Sequence, residues 1–525
     1  MHNKNQGIMK TFARLLALLL ALLTCLAIIV ACDTADGGSG DDEDEDSGLI
    51  DDAYDINGRL KDNLPKDLNY EGEEVTVLYW SDVENPEFEQ ETVTGDNVRD
   101  AIYDRNNQIE DRLNVTIKWV GVPGDGGERK NFVAHVDSVY RADTQDYDLI
   151  ASYAPTQGSL AVQGYLYNLA TLENSYVDLK MPWWPQQLVE TISFGDAYYF
   201  ISGDMSTNVL YMMHLVYINK DLFSQYQLEL PYKMVREGTW TMDEMIELTT
   251  GRYRDADNDN VQSEKDYYGF QSMDYVADSF YFACNMHLVD DDPNEMLVIS
   301  PDVGSAKTVK LVNKLGKWAA TDDVWIHNTA LDAGDYVEGR KVYQRATAEG
   351  RVLMSLQHTC VGAKSYSNAD WSVGCVPIPK YDLKQQNYYT GMGNPWTIYG
   401  IFVDFDDRGD KAATLSMFSA VMECWASEGF RLTTPEIFEV NFQLKYSEGQ
   451  DETDMYEYVR SGITFDIGKI FGGELTNMAT QCSQAIITNS SWSSTYKAYE
   501  RSLHTKLAEI VENFRTYQAQ RDQEK

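Results

Sequence analysis

The sequence predicts an α/β protein with two lobes, and three observations support this prediction. The chain has 525 residues, which is more than a single hydrophobic core usually holds. Hydrophobic residues make up 43% of the chain and charged residues 24%, a composition typical of folded globular proteins. Strand and helix patterns alternate from about Val75 onward, which favours mostly parallel sheets with helices on their faces.

The first strand–helix–strand unit lies between residues 75 and 152. Residues 75–79 join β-branched and aromatic side chains after a glycine-containing turn, which is typical of a strand. Apolar residues then recur at the spacing of one helix face: Val98, Ile102, Ile109 and Leu113. Two further strands are predicted at 115–120 and 148–152.

Similar patterns continue along the rest of the chain. Strands are predicted at 215–218, 373–378 and 397–403, and long helices around 415–425 and 496–514. Thr241 and Glu244 have the spacing of a helix capping box, and Trp240 and Met245 occupy the positions of a hydrophobic staple. We therefore expect Trp240 to have a structural role.

The N-terminus has the pattern of an export signal. Three basic residues precede the apolar run of residues 15–31, as in secretory signal peptides. The run ends in Ile29-Val30-Ala31-Cys32, which resembles the bacterial lipobox, in which the cysteine is lipidated and becomes the first mature residue. We expect a signal peptide over 1–31 and lipidation of Cys32. A plain signal-anchor helix is the alternative.

An acidic segment follows, and the whole chain is acidic. Residues 33–55 contain 11 acidic residues and no basic one, so self-repulsion should extend them. We expect a flexible tether over 32–69. The net charge of −40 repels phosphate backbones, which argues against a nucleic-acid partner.

Five cysteines remain beyond Cys25 and Cys32. They are scattered, without a C-x-x-C pair or a histidine spacing that suggests zinc. We expect these cysteines to be buried and to pack as apolar residues do. A Cys360–Cys375 disulfide is the alternative.

One acidic loop has calcium-binding spacing. Side-chain oxygen donors fall at loop positions 1, 3, 5, 9 and 12, with the Val261 carbonyl at position 7: Asp255, Asp257, Asp259, Ser263 and Asp266. Calcium takes oxygen ligands in this order in EF-hand loops. The loop departs from that pattern by having Asn260 at position 6 in place of Gly, and Asp266 at position 12 in place of Glu. We expect a weak structural Ca²⁺ site. The alternative is a solvated acidic loop.

Several segments, in order, resemble family 1 extracellular solute-binding proteins of ABC sugar importers. The similar segments are 216–223 (VYINKDLF), 238–244 (GTWTMDE), 255–270 (an acidic loop ending in Tyr-Gly-Phe), 376–380 (VPIPK) and 391–396 (GMGNPW). Each is weak alone, but their order behind a lipobox makes the resemblance specific over roughly residues 70–520.

The resemblance implies a two-lobe clamshell of the type II periplasmic-binding-protein kind. Lobe 1 would comprise 70–212 and 372–432, and lobe 2 would comprise 213–371 and 433–525. It also implies a monomer that is lipid-anchored at the extracellular face of the cell membrane. Such a protein would capture a sugar or oligosaccharide in the cleft between the lobes and deliver it to the permease subunits of an ABC importer. No catalytic cofactor is implied.

Ligand-site candidates come from the sheet edges. In open α/β sheets, ligands bind beyond the carboxyl ends of strands, and sugars stack on aromatic rings and bind planar polar groups. The candidates are Trp80, Tyr153, Asp204, His358 and Trp396. For each single aromatic residue, core packing is the alternative.

An enzyme is not expected. The sequence contains no G-x-S-x-G, H-E-x-x-H or Walker motif, and its seven histidines do not cluster. Two alternatives stay open: a surface glycoside hydrolase, because the abundant carboxylates could supply a catalytic pair, and a glycan-binding adhesin without an importer.

Overall fold

Two mixed β-sheets with helices around them form the framework. The computed structural model describes residues 53–327, 341, 344–362, 366 and 369–524. The strands are β1 (Glu73–Trp80), β2 (Val115–Val122), β3 (Leu149–Tyr153), β4 (His214–Asn219), β5 (Tyr268–Met273), β6 (Val289–Asp292), β7 (Met296–Ile299), β8 (Val324–His327), β9 (Val352–His358), β10 (Val373–Val376) and β11 (Thr397–Ile401).

Helices connect the strands and cover the sheets. They are α1 (Asn97–Leu113), α2 (Arg129–Ala142), α3 (Ala154–Val162), α4 (Gln186–Ile192), α5 (Asn208–Tyr211), α6 (Lys220–Gln225), α7 (Tyr232–Arg236), α8 (Met242–Thr249), α9 (Ser279–Ala283), α10 (Ala306–Ala319), α11 (Thr359–Val361), α12 (Lys411–Glu428), α13 (Gln450–Ser461), α14 (Ile467–Ile470), α15 (Met478–Ile487) and α16 (Trp492–Glu524). The described residues also include two 3₁₀ turns (Leu169–Thr171 and Asp274–Val276) and two π-helical segments (Gly429–Thr433 and Glu436–Lys445).

The first lobe is built on a four-stranded sheet in the order β11-β3-β1-β2. Strand β1 is parallel to β2 and β3, and β11 is antiparallel to β3. Helix α1 packs on β2 and on α12, so the apolar face predicted from residues 98–113 covers the sheet. Val98, Ile102, Ile109 and Leu113 are buried there.

The second lobe is built on a five-stranded sheet in the order β10-β4-β9-β5-β8. Strand β5 is parallel to both neighbours, whereas β4 is antiparallel to β9 and β10. Helices α10 and α15 pack together in this lobe, and β6 and β7 form a separate hairpin. The predicted α/β architecture with two lobes is confirmed, and both sheets are mixed.

The strands and long helices that the sequence predicted are all present in the structure, within a few residues of their predicted bounds. Trp240 is fully buried, and its indole N–H donates to the carbonyl of Pro377 at 2.8 Å, which agrees with a structural role. Thr241 occupies the N-cap position of α8, but its side chain makes no capping hydrogen bond. The capping hydrogen bond predicted for Thr241 is therefore absent.

The sheet pairing corrects the predicted lobe boundary at residue 372. Strand β10 pairs with β4 of the second sheet, whereas β11 pairs with β3 of the first. The chain thus crosses from the second lobe to the first between Val376 and Thr397, later than predicted.

The predicted tether over 32–69 is too long. The signal peptide, Cys32 and the residues up to 52 lie outside the described residues. Asp62 is buried, and its carboxylate accepts hydrogen bonds from both terminal guanidinium nitrogens of Arg112 at 2.6 and 2.7 Å. Leu64 belongs to the hydrophobic core. The folded body therefore already includes residues 62–64, because this ion pair and apolar contact fix the segment to α1.

Buried thiols that form no disulfide are found at Cys284, Cys360, Cys375, Cys424 and Cys482. The expectation of buried apolar residues is confirmed, and the alternative Cys360–Cys375 disulfide is not formed. Within the part of the chain that the structure describes, every helix is too short or too polar to cross a lipid bilayer.

Helix α16 is attached to both lobes. Near its start, the indole N–H of Trp492 donates to the carbonyl of Val303 at 2.7 Å in the second lobe. Farther along, the ring of Phe514 stacks on Tyr199 of the first lobe with centroids 4.9 Å apart. One continuous helix therefore links the two cores.

Candidate functional site

A narrow cleft lies between the lobes, beyond the carboxyl end of β3. Ala154 and Pro155, in the first turn of α3, line it from the first lobe, and Phe282 and Phe465 line it from the second. The crossing segment contributes further lining residues, Met392, Asn394 and Trp396. The space that a water-sized molecule can occupy is about 20 Å³, which is enough for a water molecule or two but not for a sugar ring.

The cleft is narrow because the lobes touch beside it. A Cβ atom added to Gly158 of α3 would lie 2.6 Å from the carbonyl oxygen of Ile470 in the second lobe. The Ser159 hydroxyl donates to the Glu474 carboxylate at 2.7 Å across the same boundary. The two lobes are therefore in direct contact beside the cleft.

A buried ion pair is the main charged feature of the cleft. The ammonium of Lys469 lies 2.6 Å from Oδ2 of Asp278 and donates to the Met392 carbonyl at 2.7 Å. It also lies 5.0 Å from the centre of the Phe282 ring. Burial raises the pKa of Asp278 above its usual range, although Lys469 opposes this shift. Oδ1 of Asp278 has no hydrogen-bond partner among the described residues.

A second, more polar chamber adjoins the first. Its lining shares Asn394 and Lys469 with the cleft and adds Tyr275, Asp278 and Ser483. Its volume is about 50 Å³. The Ser483 hydroxyl is buried and, within the described residues, makes no hydrogen bond. Together the two spaces offer aromatic faces beside carboxylate, amide, hydroxyl and ammonium groups, a set suited to a polar small molecule.

Two histidines in ring contact lie behind this chamber. The rings of His214 and His358 are 4.6 Å apart and tilted by 37°, and His358 stacks on Tyr275 at 5.9 Å. A Cβ on Gly393 would lie 2.3 Å from Nε2 of His358, so only glycine fits where the crossing segment passes over the pair. Burial, together with the charges of His358 and Lys469, holds the pKa of His214 well below its usual value. The predicted ligand residue His358 therefore packs against Tyr275, which lines the chamber.

The other predicted ligand residues differ in position. Trp396 lines the cleft, with its ring 5.2 Å from Phe465. Tyr153 is half-buried, and its ring is 5.6 Å from that of Trp80. Trp80 is 1% exposed, and its indole N–H donates to the Thr397 hydroxyl at 2.8 Å, so it packs inside the first lobe.

Asp204 lies away from the residues that line the cleft. Its carboxylate accepts a hydrogen bond from the Thr434 hydroxyl at 2.8 Å, and its backbone packs against Gly429 of the π-helical segment. Burial raises the pKa of Asp204 to about 6. The structure therefore brings Trp396, Tyr153 and His358 to or near the cleft but not Asp204.

Most lining residues were not among the sequence candidates, and those with polar or aromatic side chains suited to a ligand include Tyr275, Asp278, Asn394, Phe465 and Lys469. Tyr275 and Asp278 follow the carboxyl end of β5, so the sheet-edge rule could have found them had β5 been predicted. Phe465 and Lys469 lie in a loop and a short helix, and no sequence pattern marks them.

The acidic loop brings three carboxylates together. Oxygen atoms of Asp255, Asp257 and Asp259 lie within 4.8 Å of one another. Asn260 has φ +61°, the left-handed conformation that EF-hand position 6 requires. Asp266 is buried, and its carboxylate accepts the N–H groups of Ala256 and Ser263 at 3.0 Å each. Three of the predicted donors therefore fit a cation, while Asp266 braces the loop.

The remaining predicted donors of this loop are less closely arranged. Val261 is exposed, and its N–H donates to Asp259. The Ser263 carbonyl accepts from the Tyr268 hydroxyl at 2.9 Å. The Lys265 ammonium lies 3.1 Å from Asp257, so a bound cation would compete with it.

No protein-family model and no curated protein matches the sequence. Solved structures match the fold. A cyclo/maltodextrin-binding protein complexed with maltotetraose aligns with a TM-score of 0.53 at 14% identity, over 83% of this chain and 97% of that one. A cyclic α-maltosyl-1,6-maltose binding protein from Arthrobacter globiformis aligns with a TM-score of 0.53 at 11% identity, over 83% and 99%.

An ABC substrate-binding protein from Listeria monocytogenes, in complex with cycloalternan, aligns with a TM-score of 0.51 at 12% identity, over 83% of this chain and 99% of that one. These similarities span nearly the whole of each matched protein. They show that the chain has the two-lobe fold of the periplasmic binding proteins.

Proposed function

We propose that the protein is a solute-binding protein that captures a sugar or oligosaccharide in the cleft between its lobes and delivers it to an ABC importer. The observation that carries the proposal is the lining of the cleft. Aromatic rings from Trp396, Phe465 and Phe282 meet the polar groups of Asn394 and Asp278. Sugars present C–H faces that pack on rings and hydroxyls that bind carboxylates and amides. The sugar ligands of the structurally similar proteins support this choice.

Opening and closing of the lobes provides the binding mechanism. With the lobes in contact, the cleft is too small for a sugar, so the ligand must enter an open state. Trp396 joins directly to β11 of the first lobe, so its ring would meet the sugar first. Closure would then add Phe465, Asp278 and Lys469 from the second lobe. A ligand that binds the closed state better shifts the population toward it.

The charged groups of the cleft favour binding over hydrolysis. Glycoside hydrolysis needs two carboxyl groups free to act as acid and as base or nucleophile. Asp278 is paired with Lys469, and Asp466 accepts the N–H groups of Leu288 and Lys469. Neither carboxylate is therefore placed as a free general acid or base, although Oδ1 of Asp278 remains able to accept a sugar hydroxyl.

The proposal places the protein at the extracellular face of the membrane, anchored through a lipid on Cys32. The support is the Ile29-Val30-Ala31-Cys32 motif after an apolar run. Mass spectrometry of the membrane fraction should find a diacylglycerol adduct on Cys32, and Cys32→Ala should leave an uncleaved precursor or release the protein. If the protein in the membrane fraction carries no lipid on Cys32, the anchor is ruled out. The proposal that the protein binds a sugar would not be affected.

The proposal also includes one structural calcium ion in the 255–266 loop. Asp255, Asp257 and Asp259 would supply carboxylate oxygens, which are the ligands that hard Ca²⁺ prefers. Calcium would neutralise part of the repulsion among these three side chains. It would take no part in ligand capture.

A thermal-shift screen against mono- and oligosaccharides tests the function. A true ligand at 100-fold over its Kd should stabilise the protein by about 2.7 kcal/mol. Trp396→Ala should weaken binding of that ligand by roughly tenfold to a hundredfold, because it removes a buried stacking surface. Tyr140→Ala is the matched control, since Tyr140 is an exposed ring on α2 outside the cleft.

The two alternatives give distinct outcomes. Turnover of an oligosaccharide would identify a glycoside hydrolase and contradict the proposal. Binding of surface glycans without any small-sugar ligand, and without lobe closure in small-angle scattering, would identify an adhesin. A small sugar that binds with unchanged affinity to Trp396→Ala would show that the cleft is not the site.

A further inference from the structure

A large groove lies apart from the residues that line the cleft. Its volume is about 660 Å³, within the range of small-molecule sites. It lies between the end of α7, the 380–389 segment and the end of α13, with Gln187 of α4 at its border. None of its lining residues lines the cleft or the adjoining chamber.

Lys380 is the unusual residue of this groove. Its side chain lines the groove although the residue is only 3% exposed. The ammonium lies 5.3 Å from the centre of the Tyr388 ring, and a Cβ on Gly238 would lie 3.2 Å from it. Among the described residues, no carboxylate lies within ion-pair distance of Lys380, and no side-chain hydrogen bond satisfies its ammonium.

The backbone holds this lysine firmly in place. The N–H of Lys380 donates to the Trp240 carbonyl at 3.1 Å, and its carbonyl accepts the N–H of Met242 at 2.9 Å. Burial lowers the pKa of the Lys380 ammonium, and the charge of Asp382 opposes that shift. The side chain nevertheless reaches the groove, so its ammonium is available to a ligand bound there. A carboxylate bound in the groove would supply the counter-charge that no side chain among the described residues provides to this ammonium at ion-pair distance.

The other lining residues indicate which class of molecule would carry the anionic group. Gln385, Gln386 and Asn387 supply amides, and Tyr388, Tyr389 and Tyr458 supply rings. Arg236 also borders the groove, but Asp451 and Asp454 neutralise it, and Glu237 adds one exposed negative charge. Amides and rings suit a hydroxyl-rich ring compound, while Lys380 supplies the charge for a single acidic group.

We propose that this groove is a second ligand site, which binds an acidic sugar through the pairing of its carboxylate with Lys380. The site is independent of the cleft. It would let the protein hold a uronate-bearing glycan at its surface while a sugar occupies the space between the lobes.

Calorimetry with trigalacturonate and its methyl ester tests the proposal, because the ester removes the charge and keeps the rings. On the unaltered protein, the acid should bind at least about tenfold more tightly than the ester, as expected when a charged hydrogen bond is lost. Lys380→Met should remove that difference. Lys384→Met is the matched control, because Lys384 is exposed on the same segment but outside the groove lining, and it should bind like the unaltered protein.

Other outcomes would overturn the proposal. These are equal binding of acid and ester, no binding of trigalacturonate, or unchanged binding by Lys380→Met. Complete displacement of trigalacturonate by an equal concentration of sulfate would indicate a simple anion site instead of a sugar site. The acid–ester comparison needs no variant, so it remains decisive even if Lys380→Met fails to fold.

Discussion

Gly158 of the first lobe lies directly against the carbonyl of Ile470 in the second, so that an added Cβ would lie 2.6 Å from that oxygen. The two residues belong to different lobes, so this contact depends on how the lobes are placed relative to each other. A methyl group at this position would therefore act on closure while leaving each lobe able to fold.

Gly158→Ala should weaken sugar binding without lowering stability. Overpacking of this kind costs about 1–3 kcal/mol, and here the cost falls on the closed state alone, so affinity should decrease by roughly 5- to 100-fold. Titration calorimetry would measure the affinity, and small-angle scattering with ligand would detect incomplete closure.

Gly449→Ala is the control for this change. A Cβ at Gly449 meets only the Glu452 carboxylate at 3.9 Å, and both affinity and scattering should stay unchanged. A Gly158→Ala protein that closes fully around its ligand would contradict the role of this contact.

The Lys469–Asp278 pair gives a second prediction. Lys469→Met leaves the Asp278 carboxylate buried without its partner, which should lower the free energy of unfolding by about 3–5 kcal/mol. The double variant Lys469→Met/Asp278→Asn should recover most of that loss, because no buried charge remains. Urea denaturation would measure both. If the single and double variants are equally unstable, the ion pair is not the cause.

The buried carboxyl group of Glu423 should make the free energy of unfolding depend on pH. Its carboxylate accepts the indole N–H groups of Trp183 and Trp184 at 3.1 and 3.0 Å, yet burial raises its pKa to about 8 from the model-compound value of 4.5. The folded state therefore holds a proton that the unfolded state has lost. This group's stabilising effect is complete below about pH 4.5 and is lost as the pH rises through about 8.

Between pH 5 and 8, this carboxyl group alone should lower the free energy of unfolding by on the order of 3 kcal/mol. Glu423→Gln should flatten the pH profile by that amount, whatever its absolute stability. Guanidinium denaturation at several pH values would measure the slope. An unchanged slope in Glu423→Gln would show that the carboxyl group ionises normally.

The calcium proposal predicts a chelator effect. EDTA should lower the melting temperature and added Ca²⁺ should restore it, because the ion binds the folded loop only. Asp257→Asn should remove the response, whereas Asp111→Asn, which changes an exposed carboxylate on α1 of the other lobe, should retain it. Identical melting curves with and without EDTA would leave the 255–266 segment a solvated acidic loop.

The sequence was most informative where periodicity or a turn signal was strong. The strand at 75–79 and the helix of Val98 to Leu113 were predicted within a few residues, because β-branched runs and 3.6-residue spacing report directly on local structure. Strands β5 and β9 were missed. Both are buried along their whole length although they contain polar residues such as Gln271, Ser355 and Gln357, so side-chain polarity does not report their burial.

The cleft was only partly predictable for a related reason. Trp396 could be placed because it follows a glycine-rich loop and precedes a strand. Lys469 comes from a four-residue helix more than 70 positions farther along the chain, and it meets Asp278 only through the tertiary packing of the second lobe. Trp80 followed the sheet-edge rule, yet its indole N–H turned inward to Thr397.

The attachment of helix α16 to both lobes has a consequence for the synthesis of the protein. Tyr199 and Phe194 pack against Phe514, a residue translated more than 300 positions after them. A nascent first lobe must therefore expose these rings until the ribosome has completed nearly the whole chain. Such exposed apolar surface promotes aggregation of partly made chains. For a protein expected to cross the membrane, keeping the chain unfolded until α16 has emerged would avoid that hazard.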